Sequence, residues 1–112
     1  MKATQLLHNL GQSIWLDNIT RDHLDSGTIR NYISDLSVTG LTSNPTIFEQ
    51  AIKKSAAYDD NIISGLKKGL SAEDVFFDLA LVDLSRAADL FLPVYEKTDA
   101  LDGWVSLEVS PL

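Results

Sequence analysis

Gly40-Leu41-Thr42-Ser43-Asn44-Pro45-Thr46-Ile47-Phe48 changes its periodicity halfway. Val38 to Thr42 reads as a strand, apolar and β-branched residues mixed with one glycine. Ser43-Asn44-Pro45 then starts a helix. Asn44 is a good N-cap, because its side-chain oxygen can take one of the free N–H groups of the first turn. Pro45 at the first helical position gives up no hydrogen bond. Phe48, Ala51 and Ile52 supply that helix with an apolar side.

The pattern extends outward in both directions. Upstream, Thr28 is a candidate N-cap, and Ile29, Tyr32, Ile33 and Leu36 have the i, i+3, i+4, i+7 spacing of one helix face. Asn18 to Thr28 is polar and reads mostly as loop, with a turn of helix at Thr20 to Leu24. Ser13 to Asp17 reads as a strand, and Leu6, Leu7 and Leu10 as a short helix stopped by Gly11. Downstream, Tyr58-Asp59-Asp60 opens a short helix that ends at Gly69, with Ile62, Ile63 and Leu66 inward. Ser71-Ala72-Glu73-Asp74 resembles a capping box with Asp in place of the usual Glu. It introduces a helical stretch to about Thr98. The predicted core stripe is Phe76, Leu79, Ala80, Leu84, Ala87, Phe91 and Tyr95. Pro93 is expected to kink or interrupt this stretch. Asp102-Gly103 signals a turn, Trp104 to Val109 a third strand, and Pro111 its end. Strands separated by helices predict right-handed crossovers and a parallel sheet, within one domain over residues 1–112.

Side chains alternate along a strand, so each predicted strand has two faces. Ser13, Trp15 and Asp17 oppose Ile14 and Leu16. Val38, Gly40, Thr42 and Asn44 oppose Thr39, Leu41 and Ser43. Trp104, Ser106 and Glu108 oppose Val105, Leu107 and Val109. Asp17, Asn44 and Glu108 therefore end their strands on a common face. Parallel strands are normally apolar on both faces, and their carboxyl ends are where α/β folds bind ligands. Strands lie about 4.8 Å apart, so the first and third are roughly 10 Å apart at the backbone. Asp17 and Glu108 can then flank one small polyhydroxylated molecule, with Asn44 between them as a neutral hydrogen-bonding group. The bland alternatives are that all three face solvent and that Asn44 is only a helix cap.

The chain has 112 residues, a formal charge of −7, 45% hydrophobic residues and no cysteine. That is enough for a packed core and excludes disulfides and thiolate metal sites. The negative charge disfavours nucleic acid and anionic membranes as partners. No apolar run reaches the length of a membrane span, and the N-terminus turns polar too early for a signal peptide, so a cytoplasmic location is expected. Lys53-Lys54 and Lys67-Lys68 fall at predicted helix ends, where cations suit the helix dipole. His8 and His23 are single and predict no metal site.

The residues Gly40 to Phe48 closely resemble the strand-two signature of the transaldolase family. That signature is often written Thr-Thr-Asn-Pro, so Ser43 is a departure shared with the longer bacterial subfamily. Ser13-Ile14-Trp15-Leu16-Asp17-Asn18, Pro93-Val94-Tyr95-Glu96 and Ser106-Leu107-Glu108-Val109-Ser110-Pro111 resemble the same subfamily, in order and across essentially the whole chain. The resemblance implies the N-terminal part, about three βα units, of a class I aldolase-like (β/α)8 TIM barrel. It implies a transferase of the pentose phosphate pathway acting on sugar phosphates. A dihydroxyacetone unit would pass from sedoheptulose 7-phosphate or fructose 6-phosphate to an aldose phosphate through a lysine Schiff base, with no cofactor and no metal. It gives Asp17 the proton transfer at the reacting hydroxyl, Glu108 a water-mediated role in imine formation, and Asn44 a hydrogen bond to the sugar. Thr42 and Ser106 become supporting or substrate-binding residues, and Trp15 and Trp104 barrel core.

The same resemblance puts the Schiff-base lysine on a fourth strand, and the phosphate-binding residues still further on. None of the six lysines, Lys2, Lys53, Lys54, Lys67, Lys68 and Lys97, falls at a predicted strand end. These 112 residues are therefore expected to be inactive by themselves. Three strands also leave two raw sheet edges, which predicts self-association or a partner chain covering them. The alternatives are a non-catalytic acidic interaction module that assembles through those edges, and a hydrolase using Asp17 and Glu108 as a carboxylate pair.

Overall fold

The computed structural model describes residues 2–108. Three parallel strands, β1 (Ile14–Leu16), β2 (Val38–Ser43) and β3 (Trp104–Leu107), form one sheet in the order β1-β2-β3. Before β1 stands α1 (Ala3–Asn9). Between β1 and β2 lie α2 (Arg21–Asp25) and α3 (Thr28–Leu36). Between β2 and β3 lie α4 (Pro45–Lys53), a 3-10 turn (Ala56–Tyr58), α5 (Asp59–Lys67) and α6 (Ala72–Lys97).

The register explains which face is covered. Leu16 pairs with Leu41, and Leu41 with Val105, so these three project together. With Ile14, Val38 and Leu107 they pack against Ile19, Leu24, Ile29, Phe48, Ala80, Ala87 and Phe91. Non-directional burial of that apolar area is what fixes the helices to one side of the sheet. Trp15, Gly40 and Trp104 form the row on the other face. A Cβ at Gly40 would lie 2.4 Å from Trp15 Cε2, so glycine is required there for the indole to lie flat on the sheet. Trp15 and Trp104 are 42% and 50% exposed. They are therefore open-face residues here rather than enclosed core.

Local chemistry accounts for most boundaries. Thr20, Asn44 and Ser71 each accept a first-turn N–H of the helix that follows, α2, α4 and α6. The helix α2 is the turn of helix expected at Thr20 to Leu24, shifted by one residue. The N-cap of α3 is Gly27, in the left-handed region at φ 81°, and Thr28 is already its first residue. All six lysines stand at helix termini: Lys2 as the N-cap of α1, and the others at the ends of α4, α5 and α6.

Three expectations are corrected. Ile63 and Leu66 of α5 are about half exposed, and only Ile62 packs inward. The helix lies outside the main layer, against α6 and the 3-10 turn, so it needs only a narrow apolar stripe. Pro93 does not interrupt α6. The carbonyl it leaves without a donor belongs to Asp89, which like Pro93 is an exposed residue, so the missing bond falls on the solvent side of the helix. Tyr95 is 36% exposed and leaves the core stripe to meet the edge of Trp104, with ring centroids 5.4 Å apart. The end of β3 at Val109 and the stop at Pro111 lie outside the described residues.

Candidate functional site

The carboxyl ends of the three strands carry the polar residues. Thr42 pairs with Ser106, and their hydroxyl oxygens are 3.3 Å apart on the open face. Continuing the β1–β2 register one step beyond Leu16–Leu41 sets Asp17 beside Thr42. Asp17, Thr42 and Ser106 thus share one row. The β2–β3 register, continued beyond Ser43–Leu107, sets Asn44 beside Glu108 in the next row up. The ladder supports this, because Glu108 N–H donates to the Ser43 carbonyl at 2.8 Å. Asn44 is accordingly not level with Asp17. The polar group is a two-row patch rather than three residues in line.

Two residues serve as scaffold. Ser43, 1% exposed, donates its hydroxyl to the Ser106 carbonyl at 2.9 Å and ties β2 to β3 from the covered side. Asn44 Oδ1 accepts the N–H of Ile47 at 2.9 Å, so its oxygen caps α4. The side-chain NH2 is the group left for a ligand. Asp17 and Glu108 are exposed, and Thr42 and Ser106 are half-buried. The arrangement offers two carboxylates, two hydroxyls and an amide donor on one open face, suited to proton transfer on a polyhydroxylated compound.

Behind the strand ends lies a cluster that pattern reading missed. Arg21 Nε is 2.9 Å from Asp83 Oδ1, and Tyr58 donates its hydroxyl to Asp83 Oδ2 at 2.5 Å. Arg21 N–H donates to the Tyr58 oxygen at 2.9 Å, and Arg21 Nη1 to Asn61 at 3.1 Å. The guanidinium carbon sits 4.3 Å from the Tyr58 ring centroid. Tyr58 and Asp83 are fully buried and Arg21 is 8% exposed. Burial first, then the hydrogen bond to Asp83 and its negative charge, hold the Tyr58 phenol well above its ordinary range; Arg21 offsets part of this. The one signal in the sequence was Asp83 itself, at i+4 from Leu79 and i−4 from Ala87 on the buried stripe of α6.

Residues 14–112 match the family model described as transaldolase/fructose-6-phosphate aldolase. The chain is 45% identical over 105 residues to a transaldolase of Trichodesmium erythraeum, covering 94% of this chain and 28% of the relative. It is 45% identical over 101 residues to transaldolase 2 of Nostoc punctiforme, covering 90% and 26%. With a transaldolase of Thiobacillus denitrificans the figures are 40% over 111 residues, covering 99% and 31%. The chain thus spans less than a third of the length of these curated relatives.

Proposed function

Because the chain belongs to the transaldolase/fructose-6-phosphate aldolase family, we propose that it forms the first three βα units of a (β/α)8 barrel that moves a dihydroxyacetone unit between sugar phosphates. In this reading the open face of the sheet becomes the barrel interior, and the two polar rows become one wall of its active site. A lysine outside these 112 residues adds its amine to the donor ketone, and water leaves. The protonated imine takes up the electron pair of the breaking carbon–carbon bond. Asp17 accepts the proton of the reacting hydroxyl as the aldehyde departs, and returns it to the acceptor. Glu108, through a water, assists addition of the amine and loss of water. Asn44 donates its NH2 to the sugar, and Thr42 and Ser106 hold the row below. The reaction requires neither metal nor cofactor, and its substrates are those of a cytoplasmic pathway.

The single observation that carries this reading is the in-phase row of Asp17, Thr42 and Ser106 at the strand ends. The test is Asp17→Asn in the full-length protein, assayed for transfer from fructose 6-phosphate to an aldose phosphate. A fall in kcat of about a hundredfold or more is expected for loss of a proton-transfer group. An unchanged kcat would contradict the assignment.

A second reading is favoured by the exposure of Trp15 and Trp104, which stand on the two edge strands β1 and β3. It keeps the chain as a non-catalytic module that assembles through the β1 and β3 edges. Size-exclusion chromatography decides: a discrete oligomer supports it, and a folded monomer removes it.

A further inference from the structure

The Arg21–Tyr58–Asp83 cluster touches every connection that the polar strand ends depend on. Three residues separate Asp17 from Arg21, and of these Ile19 is fully buried and Thr20 caps α2. The chain leaving β1 is therefore anchored at once, and its anchor is the Arg21 backbone and side chain. Tyr58 ends the 3-10 turn that follows α4, the helix capped by Asn44. Its ring shares a core with Ala51 of α4 and with Val75 and Leu79 of α6. Asp83 lies in the middle of α6, the helix that delivers the chain to β3, Ser106 and Glu108.

A simpler role as a fold-stabilising ion pair does not account for the wiring. A buried ion pair is a weak source of stability, since desolvation of both charges opposes their attraction. Here one carboxylate uses separate oxygens for separate segments: Oδ1 for the guanidinium of α2 and Oδ2 for the phenol of the 3-10 turn. The phenol oxygen in turn accepts the Arg21 backbone N–H. Three segments, α2 just after β1, the 3-10 turn after α4, and the helix that leads into β3, are thereby held by short bonds around a single group.

We propose that Asp83, acting through Tyr58 and Arg21, is a positioning residue that sets the β1 exit carrying Asp17 against the β2 exit carrying Asn44. The proposal rests on the transfer reading above. None of the three residues touches substrate. Their effect is on where Asp17 stands relative to Asn44, so substrate binding by the remaining contacts survives while proton transfer suffers.

The decisive variant is Tyr58→Phe, which deletes one oxygen and keeps the ring in its core. Asp83→Asn is the stronger perturbation, and Ile33→Val in α3 serves as the control for ordinary loss of packing. Two quantities are measured on the intact protein: hydrogen–deuterium exchange by peptide, and kcat and KM for transfer. Tyr58→Phe is expected to speed exchange of residues 17–25 and 55–61 by about tenfold or more, because a buried carboxylate and a buried N–H lose a partner. Residues 38–43 should change no more than in Ile33→Val. In the same variant kcat should fall about tenfold with KM within about twofold. Exchange that rises evenly along the chain, or a kcat that follows only the control, would overturn the proposal. If the wild-type protein shows no transfer at all, the reading of function fails, and the exchange pattern alone then decides whether the cluster holds the two exits together.

Discussion

Thr42 Oγ1 and Ser106 Oγ meet at 3.3 Å across the β2–β3 pair, on the face the helices leave open. Below them Trp15, Gly40 and Trp104 fill the sheet, and above them Asn44 and Glu108 end their strands. The polar patch is thus built directly on the most regular part of the ladder, where backbone hydrogen bonds hold its side chains in register. Thr42→Val keeps the shape and removes the hydroxyl. The loss should be about 0.5–1.5 kcal/mol in denaturant unfolding. Ser106→Ala should cost less after Thr42→Val than before it. A double-mutant cycle without coupling would show that the contact contributes nothing.

Asn44 has a structural duty and a proposed chemical one, and substitutions can separate them. Asn44→Ala should cost about 1 kcal/mol through loss of the α4 cap. Asn44→Asp keeps an acceptor for Ile47 N–H and should leave stability nearly unchanged. It removes the NH2 donor and adds a charge beside Glu108, so kcat/KM for transfer in the full-length protein should fall about tenfold or more. Equal activity in the Asp variant would confine Asn44 to capping.

Tyr58 predicts an alkaline limit to stability. Its phenol is neutral in the fold and held above its ordinary range by burial and by Asp83. In the unfolded chain it ionises near pH 10. The sign follows from linkage: the contribution is complete below about pH 10 and is lost as pH rises from there toward the native value. Denaturant midpoints should therefore fall above about pH 10 in the wild type, and less steeply in Tyr58→Phe. Parallel slopes in the two proteins would contradict the buried, carboxylate-bound phenol.

Gly40 tests the open face. Alanine there places a methyl group 2.4 Å from Trp15 Cε2. The indole must swing away, at a cost of about 1–3 kcal/mol, as overpacking does. Indole fluorescence should shift with it. Trp15→Leu should restore most of the stability of Gly40→Ala. If Gly40→Ala is neutral by itself, the indole does not rest on the glycine.

Much of this architecture can be read from alternation alone. Trp15, Thr42 and Ser106 fall on one face, and Leu16, Leu41 and Val105 on the other, as period two requires; Val38 departs from it, because the register shift there turns it into the covered core. The vertical offset between Asp17 and Asn44 was hidden, since it depends on the β1–β2 register, Leu16 opposite Leu41, which alternation within one strand does not report. Ile63 and Leu66 misled because helical periodicity reports an apolar stripe but not whether a neighbour covers it. Arg21 and Asp83 are 62 residues apart. Nothing local joins them, and a charged residue reads as surface unless its place on a buried stripe is weighed above its charge. The family motif, by contrast, was plain at Gly40 to Phe48, where strand, cap and helix start are compressed into nine residues.

The central claim is that these strand ends serve a Schiff-base reaction whose lysine lies elsewhere. It is tested most directly by borohydride reduction in the presence of fructose 6-phosphate, followed by intact mass and peptide mapping. The 112-residue chain, with all six lysines at helix termini, should keep its mass of 12.3 kDa. The full-length protein should gain one sugar-derived adduct on a lysine outside residues 1–112. An adduct on Lys2, Lys53, Lys54, Lys67, Lys68 or Lys97, or none in the full-length protein, would contradict the account.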